Sequence, residues 1–303
     1  MRAPAFLLVD PAHFEVAYTI NPWMQPGAWS ADPAGSRRAA RIAFSGLVAA
    51  LKGAGAEVEI MQGVPGAPDL VFPANAGVIL DGRATLARFR YPERQVEEPH
   101  FLRAFQRLRA GGLLKEVYVP PDDCLQEGAG DFIWHAARGH AWAGYGPRTN
   151  RKGLDAVTEF FGREVVALEL ATERFYHLDT CFCPLPGGEV LYYPPAFTPE
   201  GLRRIRTTVP ACDLIEATDE DAARFCVNAV AFDRTIVMAE ATDHLKGRLS
   251  NRGYRVIEVG LAPFILSGGG AYCMTLRLDN VSAPAAADLA RQSPAHAIKE
   301  PAE

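Results

Sequence analysis

A cysteine follows a run of glycines near the end of the chain. Ser267-Gly268-Gly269-Gly270-Ala271-Tyr272-Cys273 leads into an alternating Met274-Thr275-Leu276-Arg277-Leu278, which reads as a half-buried strand. Consecutive glycines let the backbone approach a ligand closely, and a thiol just past them can enter a cleft as a thiolate nucleophile. The same residues also fit a buried cysteine beside a tight turn. His177 and Asp179 lie two residues apart in Phe175-Tyr-His-Leu-Asp-Thr-Cys181. On a strand they share one face, an arrangement suited to acid–base work or binding. Glu127 and Asp131 bracket the small residues Gly128-Ala129-Gly130, and Asn75 interrupts the apolar Phe72-Pro-Ala-Asn-Ala-Gly-Val-Ile-Leu80. An uncharged amide there is either a satisfied core group or a ligand contact.

The elements that must position these residues recur along the chain. Phe6–Val9 reads as a strand, the stretch from Ile20-Asn21-Pro22-Trp23-Met24 to Gly35 as a loop, residues 36–53 as a helix and Glu57–Met61 as a strand. Asp81-Gly82 turns the apolar run 69–80 into 83–89 as a hairpin, and a helix over 97–110 ends at Gly111-Gly112. Strand pairs and single helices then alternate: strands at 117–119, 132–134 and 142–145, a helix at 153–161, strands at 165–170, 175–185 and 189–193, a helix at 198–206. Strands at 213–216, 227–232, 235–238 and 256–259 follow, around a helix ending near 251. About five such rounds, without close internal identity, predict pseudo-symmetric modules whose loops converge on one face. The chain from 1 to 281 is expected to form a single catalytic domain, and the Ala/Pro-rich residues 282–303 a mobile tail.

Composition narrows the classes. The 303 residues are 49% hydrophobic with a net charge of −5, and no basic block points to nucleic acid. No apolar run approaches the roughly 18 residues that span a bilayer, and the N-terminus lacks the pattern of a signal peptide. The six cysteines form no zinc-type pair of motifs. A cytoplasmic protein with reduced thiols is the expectation.

Together, Phe72-Pro-Ala-Asn75-Ala, Glu127…Asp131, His177-Leu-Asp179 and the late Cys273 resemble the pentein superfamily of guanidine-modifying enzymes, over nearly the whole chain from Phe6 to Leu278. The superfamily includes arginine deiminases, dimethylarginine dimethylaminohydrolases, amidinotransferases and arginine dihydrolases. The resemblance implies a five-bladed α/β propeller. It implies that Cys273 attacks the guanidinium carbon and that His177 protonates the leaving nitrogen, then activates water. Glu127 and Asp179 would hold guanidinium N–H groups, with Asp131 assisting or bracing its turn, and Arg94 and Arg148 would clamp the substrate carboxylate. No metal or organic cofactor is implied; the expected partner is a small guanidino amino acid, and a homo-oligomer is compatible with the family.

Two departures bear on substrate. Deiminases usually carry Glu-Gly-Gly-Asp, whereas Glu127-Gly-Ala-Gly-Asp131 is one residue longer, which leaves open the carboxylate that orients His177; Glu127 is the expected one. Asn75 stands where deiminases and dimethylarginine hydrolases usually have a carboxylate, and with Ile20-Asn21-Pro22-Trp23-Met24 is more similar to the arginine dihydrolase branch. An amide both donates and accepts, so Asn75 could hold a neutral ureido group as well as a guanidinium. The leading expectation is an arginine dihydrolase forming ornithine and ammonia. A dimethylarginine hydrolase, an amidinotransferase and a non-catalytic binder of arginine-like amino acids follow in that order.

Overall fold

In the computed structural model of the protein, residues 3–282 are described. Five three-stranded sheets are built alike: the middle strand pairs antiparallel with the first and parallel with the third, and a helix joins middle to third. After β1 (Ala5–Val9), α1 (Pro33–Gly53) and β2 (Glu57–Met61), the second sheet is β3 (Gly77–Leu80), β4 (Arg83–Leu86), α2 (Glu98–Ala110) and β5 (Glu116–Tyr118). The third is β6 (Phe132–His135), β7 (His140–Tyr145), α3 (Arg151–Phe161) and β8 (Val165–Glu169). The fourth is β9 (Phe182–Pro184), β10 (Val190–Tyr192), α4 (Pro199–Thr208) and β11 (Leu214–Glu216). The fifth is β12 (Val230–Phe232), β13 (Thr235–Met238), α5 (Asp243–Ser250) and β14 (Arg255–Glu258). The last strand, β15 (Leu276–Arg277), completes the first sheet: Phe6 lies opposite Arg277 and Leu7 opposite Leu276. Both ends of the described chain thus close one ring, a five-bladed α/β propeller.

Local sequence explains the parts. The middle strands are almost wholly buried, in keeping with their mostly apolar residues between a covering helix and the ring interior. Asp32 caps α1 by accepting Gly35 N–H, Pro33 occupies the first turn, and Ala40, Ala43, Phe44, Leu47 and Leu51 recur every three or four residues on its buried face. Each leucine so buried contributes about 1.5–3 kcal/mol. In α3, Asn150 caps the start and Gly162, in the left-handed region at φ 60°, ends it.

Three expectations need correction. Residues 175–185 are not one strand: a 3-10 turn at Leu178–Thr180 interrupts them, and the strand begins at Phe182. The apolar run 69–80 is strand only from Gly77, because Pro68 and Pro73 start 3-10 turns ahead of it. Ser282 does not begin a tail; its N–H and hydroxyl donate to Asp81 at 2.8 and 2.7 Å, and the rest of the expected tail lies outside the described residues.

Candidate active site

The segment before the first strand of every sheet is a tight turn, and each turn carries a polar side chain to a common centre. Pro73–Ala76 brings Asn75, Gly128–Gly130 brings Glu127 and Asp131, and Leu178–Thr180 brings His177 and Asp179. The turn before β12 brings Asn228, and the glycine segment before β15 brings Cys273. All of these side chains are buried. Close approach is what the glycines permit. A Cβ on Gly130 would meet Asn75 Nδ2 and lie 3.4 Å from His177 Nδ1, while Gly268 adopts φ 85° beneath the Asn21 side chain.

His177 and Asp179 do not share a face. The 3-10 turn between them sends each to a different partner. His177 Nε2 lies 2.7 Å from Glu127 Oε2, and Asn75 Nδ2 faces His177 Nδ1 at 3.4 Å. Asp179 Oδ2 accepts from the Cys273 thiol at 3.2 Å, and Asp179 Oδ1 is buried without a partner. A buried carboxylate oxygen left unpaired costs free energy unless a ligand donor meets it. Burial lifts Asp179 to about 7, and burial and then Asp179 push the Cys273 thiol well up.

Glu127 is the opposite case. Burial alone would favour its neutral form, but Arg148, whose Nη1 donates to Oε2 at 2.9 Å, and His177 outweigh it and hold the carboxyl well below the usual range. Arg90 N–H donates to the other oxygen at 3.0 Å. A carboxylate held anionic 2.7 Å from an imidazole nitrogen fixes the orientation of the ring, as proton transfer at a set position requires.

A small cavity of about 10 Å³, room for a single water, opens on Cys273 and is lined by Ile20, Asn21, Asp69, Phe72, Asn75, Arg94, Arg148, Tyr176 and Ser267. This falls below the roughly 300–1,000 Å³ usual for ligand pockets, so the site is in a closed form. Arg94 is held by Glu97 at 2.7 and 2.9 Å and donates to Asn75 Oδ1 at 2.8 Å. Arg148 lies between the rings of Tyr91 and Tyr176, 4.6 Å from each, and donates to Ile20 O at 2.9 Å. Asn21 caps its own turn, accepting from Trp23 N–H and donating to Ser267 O. A larger cavity lies between the first strands of the sheets, but none of Cys273, His177, Glu127, Asp179, Asn75, Arg94 and Arg148 lines it. The chemistry belongs to the smaller one.

The geometry corrects one expected ligand. Asp131 has no oxygen left for a ligand: Oδ2 accepts from Thr149 Oγ1 at 2.7 Å and Oδ1 from Leu178 N–H at 2.9 Å, bracing the His177 turn. Two residues escaped the sequence reading. Asp69, in the cavity wall, accepts from Tyr18 and Ser267 hydroxyls at 2.9 and 3.0 Å. Asn228 touches Cys273 directly. The module repeat was the available signal for Asn228, which stands two residues before β12 as Asn75 stands two before β3.

A ring of five such sheets, with turns meeting at a cysteine, a histidine and buried carboxylates, defines a pentein. The chain belongs to the family described as N,N dimethylarginine dimethylhydrolase, eukaryotic, whose model matches residues 11–279. It is 40% identical over 273 residues to the bifunctional arginine dihydrolase/ornithine cyclodeaminase AgrE of Nostoc sp. strain PCC 7120, covering 90% of this chain and 37% of that protein. It is 32% identical to the N(G),N(G)-dimethylarginine dimethylaminohydrolase of Mycobacterium tuberculosis, over 91% of this chain and 86% of the other. The crystal structure of the N-terminal domain of ArgZ covalently bound to a reaction intermediate superposes with a TM-score of 0.86 at 38% identity, over 93% of this chain and all of that one. The chain therefore spans little more than a third of the length of its cyanobacterial bifunctional relatives and matches one catalytic domain of them.

Proposed function

We propose that the protein hydrolyses the guanidino group of free arginine through a covalent thiouronium on Cys273 and carries it on to ornithine. The observation that supports this most directly is the Cys273 sulfur 3.2 Å from Asp179, a buried carboxylate whose other oxygen has no partner. A guanidinium donates two parallel N–H bonds and matches such an acceptor. Its positive charge also favours the ionised carboxylate and thiolate that burial alone opposes. Arg94 and Arg148 line the cavity and supply positive charge for the α-carboxylate, Arg148 once Ile20 O releases its Nη2, and Asp69 supplies a negative partner for the α-ammonium.

The thiolate attacks the guanidinium carbon; the C–N bond to the terminal nitrogen breaks, and protonated His177 gives that nitrogen its proton, releasing ammonia. Water, deprotonated by His177 with Glu127 alongside, attacks the thiouronium carbon and expels the thiolate, leaving citrulline. A second round on the ureido group releases another ammonia and carbon dioxide and leaves ornithine. Asn75 Nδ2 is the N–H donor in the cavity wall that a neutral ureido oxygen can use. The turn at residues 20–24 closes the cavity, so it must swing out, breaking the Arg148 bond to Ile20 O, for substrate to enter. All six cysteines are free, which supports a reducing, cytoplasmic setting.

The family match and the mycobacterial relative favour a second reading, release of methylamine from methylated arginine. Product analysis separates the two. Ornithine and ammonia from arginine, absent with Cys273→Ser, support the dihydrolase; citrulline with dimethylamine from asymmetric dimethylarginine, and no turnover of arginine, supports the other.

A further inference from the structure

We propose that Asn228 is a catalytic residue: its side-chain amide donates to Cys273 Sγ and holds that sulfur as the attacking thiolate. The proposal rests on the reading of Cys273 as nucleophile, whatever the substrate. Asn228 Nδ2 lies 3.1 Å from Sγ and 3.1 Å from the Asp179 carbonyl oxygen, and Oδ1 lies 3.2 Å from the Cys273 N–H. Two backbone groups therefore decide which end of the amide is which: the carbonyl can only accept and the N–H can only donate, so an N–H of Asn228 faces the sulfur. The residue is fully buried.

The third glycine of the motif serves this contact. A Cβ on Gly270 would come within 2.8 Å of Asn228 Oδ1 and 2.9 Å of Phe225. Phe225, whose backbone carbonyl accepts from the Asn228 N–H, is one of three non-glycine residues with positive φ among those described.

The groups around the sulfur give the amide its task. Asp179 faces it from the fourth sheet's turn, Tyr176 from the same loop and Tyr272 from its own, while Arg94 and Arg148 line the cavity beyond. In the resting site the thiol proton is shared with Asp179. Once a guanidinium claims Asp179, the proton must leave, and the sulfur keeps Asn228 as its side-chain donor, beside the backbone at Gly270. A hydrogen bond to an anion is stronger than one to a neutral thiol, so the amide stabilises the state that attacks more than the state that waits.

The test is the pH dependence of Cys273 alkylation by iodoacetamide, followed at that residue by mass spectrometry, in the intact protein without substrate. Asn228→Ala is expected to move the midpoint up by about one to two pH units, slowing alkylation about 10- to 100-fold below it. Asn228→Asp, which keeps the acceptor for the Cys273 N–H but replaces the donor with a charge, should move it at least as far. Gly270→Ala, which displaces the amide without altering Asn228 or Cys273, should shift it in the same direction and covers the case in which an Asn228 variant fails to fold. A midpoint unchanged in the folded variants overturns the proposal. Turnover retained by Cys273→Ser would instead overturn the nucleophile reading on which it rests.

Discussion

Asn75→Asp isolates the amide that distinguishes this site. The orientation of Asn75 is set on both sides: Arg94 donates to Oδ1 at 2.8 Å, and Nδ2 donates to Glu127 O at 3.1 Å while facing His177 Nδ1. Aspartate keeps the Arg94 contact. It replaces the donor with an oxygen, leaving the Glu127 carbonyl buried without its partner and bringing another carboxylate near Glu97, Asp69 and Glu127. An unsatisfied buried acceptor costs about 1–3 kcal/mol, or roughly 2–6 °C in Tm for a domain of this size. Catalysis loses the N–H available to a neutral ureido group. A neutral hydrogen bond contributes about 0.5–1.5 kcal/mol net, so the partition between second hydrolysis and citrulline escape should shift by about two- to tenfold. The assay is a quenched time course with arginine, quantifying citrulline and ornithine, and a parallel course starting from citrulline. The expected result is a citrulline share raised by that factor and a kcat/KM for citrulline lowered by the same factor, with arginine consumption much less affected. A folded variant with an unchanged product ratio would refute the reasoning. A wild-type protein that forms no ornithine would refute the dihydrolase reading itself.

Glu127→Gln should lower turnover about 10²- to 10⁴-fold, because His177 loses the anion 2.7 Å from Nε2; rapid-quench separation of adduct formation from adduct hydrolysis checks this, and a loss under tenfold would mean another group orients the imidazole. Burial lifts Asp131 to about 6, above its unfolded value near 4, so its contribution to stability is full below about pH 4 and is lost as pH rises through 6. The stability difference between wild type and Asp131→Asn should therefore narrow from pH 4 to pH 7 in thermal melts, and a difference independent of pH would count against it. Gly269→Ala drives a methyl into the Phe72 ring and should cost about 1–3 kcal/mol; adding Phe72→Leu should recover part of the loss, and equal Tm values for the single and double variants would argue against that clash.

Much of the propeller was legible from local pattern. Asp81-Gly82 marked the β3–β4 hairpin, the apolar period marked α1, and the recurrence of strand pair and helix marked the blades, because each signal depends on neighbours a few residues apart. The turns were less legible. Phe175–Leu185 has strand composition, yet its centre is a 3-10 turn, since His177, Asp179 and Thr180 take their hydrogen bonds from other blades and from the turn itself. Asn228 had no signal of its own; a lone asparagine after Cys226-Val227 becomes informative only when its place in the module is compared with that of Asn75.

The residue types able to do the chemistry, and the order of the elements that carry them, follow from local sequence, because side-chain chemistry and hydrophobic period are local properties. Tertiary structure alone decided the partners. Closure of the ring through β1 and β15 sets Cys273 against Asp179 and Asn228, and it sets His177 against Glu127. Those pairings join groups from different blades, and nothing in the spacing along one chain segment encodes them.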